Sequence, residues 1–345
     1  MLAWKLYEPL PRNTQPGENV WEKVLKLEEV ELPPLPPNYA RVRLYAAALN
    51  RRDLWITLGL YPNIKCPAVL GSDGCGEVVQ VSTPSHREAW LGKRVLINPS
   101  LNWGSSEQVQ SENYEVLGMP SWGTMAEYVD VPVENLHPIP EHLSVIEAAA
   151  VPLAGLTAYR AVFVQGQLQA GEKVLIPGIG GGVALWALQL AVAAGAEVWV
   201  TSSSENKLQT AKRLGAAGGV LYTQSDWAEY LYRETGGFHL IVDGVGGDVF
   251  PAYLTISRPG ARIVVYGATR GNPPNIDLRR LFWKQLHLIG SPMGSPANFA
   301  ALLQFISANR IHPLVETILP FSDLPKALYL LWTGQQIGKI VLKWK

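Results

Sequence analysis

A cluster of glycines in the middle of the chain has the spacing of a phosphate-binding turn. The segment 176–184 reads IPGIGGGVA, in which Gly178, Gly181 and Gly182 precede Val183 and a run of apolar residues at helical spacing. This pattern predicts a strand, a tight turn and a helix, because glycine permits the turn and a helix N-terminus offers N–H groups to phosphate. A dinucleotide pyrophosphate fits such a turn. The spacing is not G-x-G-x-x-G, so the motif alone is also compatible with a plain glycine-rich turn.

The residues after the next apolar run indicate which dinucleotide binds. An NAD site usually has an acidic residue here for the ribose 2′-hydroxyl, but the run ends in TSSS and no acid comes before Glu205. The hydroxyls of Ser202 and Ser203 and the ammonium of Lys207 could instead hold a 2′-phosphate. We therefore predict NADP(H) as the cofactor. In the alternative interpretation, Ser202 and Glu205 form a helix capping box and Lys207 is a solvated charge.

Short apolar segments alternate with helical segments around these residues. This alternation predicts an α/β fold with a parallel, doubly wound sheet whose ligands bind at the carboxyl ends of the strands. The six predicted strands lie at 173–176, 197–201, 219–222, 240–243, 262–266 and 286–289.

The flanking segments have a different character, with many strand-like runs and little helix before residue 140. We expect a β domain over 1–140 that is completed by 291–345, since an apolar final strand needs a partner strand. The dinucleotide-binding domain is then 141–290, and a polar insertion spans 98–123. Outside the doubly wound segment, strands are predicted at 21–32, 40–49, 76–81, 93–98, 125–131 and 337–344, and helices at 296–309 and 323–333.

The composition excludes several classes of partner. Lys plus Arg and Asp plus Glu both total 29 in 345 residues, so no basic field favours nucleic acid. No apolar run reaches the roughly 18 residues that span a bilayer, and the start lacks a secretory signal pattern. We expect no nucleic-acid or membrane partner and a cytoplasmic location. Cys66 and Cys75 support neither a disulfide framework nor a thiolate zinc site.

Five segments of the chain carry motifs of a known family: ALNRRDLWITLGLYP (48–62), VLGSDGCGEVV (69–79), WGTMAEYVDVP (122–132), AAAVPLAGLTAYRA (148–161) and VLIPGIGGGVALWALQLA (174–191). These segments resemble hallmarks of the medium-chain dehydrogenase/reductase superfamily, and the order of parts is similar to it over essentially the whole chain. The resemblance implies a GroES-like β domain and a Rossmann dinucleotide-binding domain. It also implies that Tyr222 flanks the adenosine phosphate, that Gly267 passes under the nicotinamide, and that strand 286–289 pairs across a homodimer or homotetramer interface.

Departures from the zinc-dependent members point to a subfamily. The positions that match the catalytic zinc ligands carry Asn50, Ser72 and Leu153. Asn and Leu offer neither the thiolate nor the imidazole that zinc prefers. The insertion 98–123 resembles the structural-zinc lobe but contains no cysteine. The chain thus resembles the zinc-independent, quinone oxidoreductase-like branch, and we predict no bound metal.

The ALNxxD…GLYP pattern of that branch supplies three candidate catalytic residues. Asn50 can donate an amide N–H, Tyr61 can donate its phenolic O–H, and Asp53 can hold its neighbours by accepting hydrogen bonds. Alternatively, Asn50 closes a strand, Asp53 caps a helix and Tyr61 fills a turn.

These observations favour NADPH-dependent, metal-free hydride transfer to a quinone or an α,β-unsaturated carbonyl, because delocalised negative charge needs no Lewis acid. Two alternatives remain at this level. One is an alcohol or aldehyde dehydrogenase, and the other is a nucleotide-binding protein without catalytic activity.

Overall fold

The computed structural model describes residues 1–344 and divides the chain into two compact units. One unit joins Met1–Ala154 to Ser295–Lys345, and the other is Gly155–Gly294. None of the helices among the described residues is long and apolar enough to cross a membrane.

Strands dominate the N-terminal part of the first unit, and its helices are short. The strands are β1 (Leu2–Leu6), β2 (Leu25–Glu29), β3 (Tyr39–Ala48), β4 (Ala68–Val69), β5 (Asp73–Val81), β6 (Arg94–Ile97), β7 (Ser100–Leu101), β8 (Glu115–Val116), β9 (Tyr128–Pro132) and β10 (Leu136–Pro138), and the helices are α1 (Arg51–Thr57), α2 (Arg87–Trp90) and α3 (Val145–Ala149).

Helix α4 (Pro152–Tyr159) leads into the second unit and continues as a π-helical segment, Arg160–Gln165. The rest of that unit alternates strands and helices. They are β11 (Lys173–Ile176), α5 (Gly182–Ala193), β12 (Glu197–Ser202), α6 (Glu205–Arg213), β13 (Gly218–Leu221), α7 (Trp227–Thr235), β14 (Phe238–Asp243), α8 (Phe250–Ile256), β15 (Ser257–Val265), α9 (Leu278–Trp283) and β16 (His287–Gly290).

The chain then returns to the first unit through α10 (Pro296–Ala308), β17 (Val315–Pro320), α11 (Leu324–Thr333) and β18 (Lys339–Lys343). The main sheet of this unit has the order β10-β6-β5-β3-β18-β17, and β9 also pairs with β3. The C-terminal strand β18 is antiparallel to β3 and parallel to β17. It therefore lies inside the sheet, which carries its first residue into the interior of the unit.

The predicted strand at 21–32 is partly wrong. A 3-10 turn, Val20–Lys23, precedes β2, and the buried Trp21 fixes it by donating from Nε1 to Thr57 Oγ1 at 3.1 Å. An apolar side chain can thus belong to a turn when its ring fills the core.

The second unit confirms the predicted doubly wound sheet. All six strands are parallel in the order β13-β12-β11-β14-β15-β16, so the order reverses direction between β11 and β14. Ligands of open α/β sheets bind beyond the carboxyl ends of the strands at such a reversal. The glycine-rich segment follows β11 at this point.

Candidate functional site

Asp73 contacts two of the three residues whose positions match zinc ligands in the family that the chain resembles. Its carboxylate is fully buried, and its Oδ2 accepts from Asn50 Nδ2 at 3.0 Å. Its Oδ1 accepts from the backbone N–H of Leu153 at 2.7 Å. Lys339, the first residue of β18, adds an ammonium 2.7 Å from Oδ2. Ser72, the third position, is the adjacent residue in the chain. Neither Asp73 nor Lys339 is among the site residues predicted from the sequence.

Asn50 is held at both ends of its carboxamide. It is the N-cap residue of α1, its Oδ1 accepts from Lys339 Nζ at 2.6 Å, and its Nδ2 donates to Asp73. One N–H of the amide is therefore committed. The described part of the chain provides no partner for the second N–H, which could serve a substrate oxygen.

Asp53 acts on the backbone. Its Oδ2 accepts from the Asn50 N–H at 2.8 Å and its Oδ1 accepts from the Gly71 N–H at 3.2 Å. The Asn50-x-x-Asp53 spacing is that of a capping box, which explains why α1 begins here. Burial raises the pKa of Asp53, and the positive charges of Arg52 and Lys339 oppose this shift. Asp53 therefore both caps the helix and fixes its neighbours; a role in catalysis stays a prediction.

Arg52 links Tyr61 to Ser72, and it is also absent from the site residues predicted from the sequence. Its buried guanidinium donates to Ser72 Oγ at 3.1 Å, and Ser72 Oγ in turn donates to the Leu117 carbonyl at 2.7 Å. It also donates to the carbonyls of Val116, Leu117 and Met119 in the insertion. The ring of the half-buried Tyr61 lies 5.3 Å from the guanidinium carbon. The structure thus brings Asn50, Asp53 and Tyr61 to one region around α1.

The residues at the zinc-ligand positions do not fit a zinc ion. Asn50 Oδ1 is engaged by the Lys339 ammonium, the Ser72 hydroxyl is engaged by Arg52, and Leu153 has no donor side chain. Two cations beside these oxygens would repel a dication. Among residues 1–344, no group of three or more His, Cys, Asp or Glu side chains could hold a metal ion.

The glycine turn in the second unit has the geometry that phosphate binding requires. Gly178 and Gly180 have φ of 63° and 132°, conformations that favour glycine. Gly181 is the N-cap residue of α5, and a Cβ added there would meet nothing within 4 Å. Gly182 and Val183 lie in the first turn of the helix, where N–H groups have no partner within the helix, and Gly181 supplies no side-chain cap. Gly180 is not among the cofactor-binding residues predicted from the sequence.

Lys207 lies against this turn. A Cβ added at Gly180 would lie 2.7 Å from Lys207 Cδ and 3.2 Å from its Nζ, so the lysine covers the glycine backbone. The ammonium is therefore beside the turn that would hold a dinucleotide phosphate. The alternative interpretation, a solvated helix charge, does not describe this half-buried side chain.

The alternative capping box at the end of β12 is not formed. The N-cap residue of α6 is Ser204, and Ser202 Oγ accepts from the Ser204 N–H at 3.1 Å. Ser202 is almost fully buried and Ser203 is exposed. Ser203 can contact a ligand freely, whereas Ser202 is largely committed to the turn. Glu205 lies one residue into the helix and is exposed.

Tyr222 and Gly267 follow the carboxyl ends of β13 and β15. The half-buried Tyr222 ring lies 5.8 Å from the guanidinium carbon of Arg270. A Cβ added at Gly267 would lie 3.5 Å from the Gly244 carbonyl oxygen, so the loops after β14 and β15 run close together. The predicted roles of Tyr222 and Gly267 stay predictions.

The second unit has a doubly wound sheet with a glycine-rich turn, and the first unit consists mainly of antiparallel strands. This is an architecture that dinucleotide-dependent oxidoreductases use. Family models match both parts: the alcohol dehydrogenase GroES-like domain over residues 36–141 and the zinc-binding dehydrogenase over residues 182–308. The chain belongs to the medium-chain dehydrogenase/reductase superfamily.

Individual relatives carry different activities in their names. The zinc-type alcohol dehydrogenase-like protein YogA of Leptosphaeria maculans is 36% identical over 340 residues, covering 92% of this chain and 94% of that protein. The quinone oxidoreductase-like protein 2 of Bos taurus is 26% identical, covering 94% of this chain and 90% of that protein. A crystal structure of an NAD-dependent alcohol dehydrogenase matches with a TM-score of 0.89 at 34% identity, covering 99% of each chain.

Proposed function

We propose that this oxidoreductase transfers hydride from NADPH to a conjugated acceptor, a quinone or an α,β-unsaturated carbonyl, without a metal ion. The observation that carries the proposal is the pair of protein cations at the zinc-ligand positions. Lys339 engages Asn50 and Arg52 engages Ser72. The enzyme must therefore meet negative charge on the substrate with hydrogen bonds.

The available donors suit an acceptor that spreads its charge. Asn50 retains one amide N–H, and Tyr61 carries a phenolic O–H on a ring whose centre lies 5.3 Å from the Arg52 guanidinium carbon. Two neutral donors stabilise an enolate or a hydroquinone anion better than the concentrated charge of a simple alkoxide. We assign Asn50 and Tyr61 to substrate binding and Asp53 to holding Asn50. The name of the bovine relative, quinone oxidoreductase-like, is consistent with this choice.

We further propose NADPH in preference to NADH. When bound, this cofactor supplies the hydride, and the glycines of the turn with the first turn of α5 would hold its pyrophosphate. Lys207 supplies a positive charge beside the turn. No acidic residue lies between the end of β12 and Glu205, so none repels a 2′-phosphate there. The similar NAD-dependent alcohol dehydrogenase means that the fold does not decide between the cofactors, so the proposal rests on these residues.

A homodimer or homotetramer is part of the proposal. Strand β16 is an edge strand, and three apolar side chains of α9, the helix that precedes it in the chain, are exposed: Leu278 at 66%, Phe282 at 64% and Trp283 at 82%. An unpaired strand edge and exposed apolar surface each favour association. We propose that β16 pairs with the same strand of a second copy and that the exposed residues of α9 are buried in the same interface. A cytoplasmic location stays a prediction.

An alcohol or aldehyde dehydrogenase is the second candidate, favoured by the zinc-type and NAD-dependent relatives. Chelator-treated protein should be screened for NADPH oxidation with quinones, enones, enoyl thioesters and simple ketones, and zinc should be measured by elemental analysis. We expect turnover only with the conjugated acceptors and no stoichiometric zinc. About one tightly bound zinc per chain, or alcohol oxidation without any conjugated reduction, would favour the second candidate.

A further inference from the structure

Lys339 is a buried lysine whose ammonium is surrounded by protein oxygens. The residue is only 4% exposed, and its three N–H groups have three partners: the Leu49 carbonyl at 2.7 Å, Asn50 Oδ1 at 2.6 Å and Asp73 Oδ2 at 2.7 Å. A lysine ammonium has three donors in all. Lys339 is thus saturated by protein oxygens and is not available as a proton donor to a substrate.

This arrangement determines which way the Asn50 carboxamide faces. The oxygen and nitrogen of an asparagine amide are distinguished by their hydrogen-bond partners. Lys339 can only donate, so the atom 2.6 Å from it must be the amide oxygen. The amide nitrogen must then face Asp73, which accepts one of its two N–H groups. Reversing the amide would set its donors against the ammonium.

The ion pair also makes this orientation costly to change. Lys339 and Asp73 are buried at 4% and 0% exposure, where an unpaired charge is strongly disfavoured. Both charges contact the same amide, one at its oxygen and one at its nitrogen. Hydrogen bonds in such a chain polarise and strengthen one another. The planar amide of Asn50 is therefore held in one orientation, and this fixes the direction of its remaining N–H.

The geometry points to Lys339 as a positioning residue that acts through Asn50 to keep the second amide N–H ready for the acceptor oxygen. This inference rests on the proposed function, in which Asn50 binds the acceptor. The competing explanation is that Lys339 only ties β18 to the end of β3. The two explanations differ in whether the loss of Lys339 still matters when Asn50 is absent.

A double-mutant cycle separates them. Lys339→Met alone leaves Asp73 charged and buried and can unfold the protein, so the paired variant Lys339→Met with Asp73→Asn is made as well. Each is combined with Asn50→Ala, and Lys343→Met at the exposed end of the same strand is the control. We expect the paired variant to lose about tenfold to a hundredfold in kcat with an enone. The loss should vanish in the Asn50→Ala background, and the NADPH Kd should not change.

The inference is overturned if the fold-losses in kcat of the paired variant and of Asn50→Ala multiply when the substitutions are combined. It is also overturned if the paired variant keeps the full kcat. A parent protein that reduces no conjugated acceptor would instead refute the proposed function, and the positioning is then judged by nuclear magnetic resonance. The Asn50 side-chain amide protons, assigned by their loss in Asn50→Ala, should exchange with water faster in the paired variant than in the parent. Equal exchange rates would overturn the positioning role.

Discussion

Replacing Lys207 with alanine should weaken NADPH binding strongly and NADH binding little. The lysine covers the glycine turn at Gly180, where a Cβ would lie 3.2 Å from its Nζ. A hydrogen bond between charged partners contributes about 1.5–3 kcal/mol, which corresponds to about 10- to 150-fold in Kd. NADH lacks the 2′-phosphate, so it should lose only the weaker attraction to the pyrophosphate.

Isothermal titration of both cofactors against the parent and Lys207→Ala measures this difference. Lys212→Ala is the matched control, because Lys212 lies in the last turn of the same helix and is exposed. Its effect on either cofactor should be small. Raising the salt concentration should weaken NADPH binding more in the parent than in Lys207→Ala.

Equal affinity of the parent for NADPH and NADH would refute the cofactor assignment. An unchanged preference in Lys207→Ala would show that another group discriminates between them. Loss of affinity for both cofactors to the same extent would mean that Lys207 contacts only the shared pyrophosphate.

Three further predictions concern the acceptor site, the assembly and pH. Asn50→Ala and Tyr61→Phe should each lower kcat with a quinone or enone by about a hundredfold and leave the NADPH Kd unchanged; unchanged kinetics in both variants would place the acceptor elsewhere. Trp283→Glu should shift a homodimer or homotetramer toward smaller species in light scattering, whereas a parent monomer at micromolar concentration would contradict the interface. Burial lowers the pKa of His137 to about 4, and its Nε2 has no hydrogen-bond partner among the described residues. Between about pH 6.5 and about pH 4, the unfolded chain takes up a proton at His137 and the folded protein does not. The free energy of unfolding should therefore fall by about 2–3 kcal/mol as pH drops from about 6.5 to 4. His137→Gln should abolish most of this dependence in urea titrations.

The second unit could be predicted well because its signals are local. Apolar strands, a glycine turn and a helix follow one another within a few residues, and the parallel sheet was expected from that alternation. The bounds of β15 were missed: the strand begins at Ser257, although Pro259 and Gly260 are typical of a turn. Ser257 pairs with Phe238 of β14, and the next pair is Leu240 with Arg262. Pro259 and Gly260 therefore lie in an irregularity of the ladder, where Gly260 has a φ of 75°. The local turn preference is met there, but it does not end the strand.

The acceptor site was predicted only in part, because its contacts join distant parts of the chain. Lys339 is 289 residues from Asn50, and nothing in the segment GKIVLK marks its lysine as buried. Arg52 follows Arg51 in the sequence, and composition does not say which guanidinium turns inward. The type of residue at Asn50 and Ser72 was visible, but the cations that engage them appear only once the strands are assembled.

The destination of the hydride tests the central claim most directly. The protein is given NADPH with deuterium at both C4 positions and an enone, and the product is examined by nuclear magnetic resonance. Addition to a conjugated acceptor predicts deuterium on the β-carbon of a saturated ketone, with the carbonyl intact. Deuterium on the carbinol carbon of an allylic alcohol would contradict the account, because that product requires the concentrated oxyanion that Asn50 and Tyr61 are not expected to stabilise.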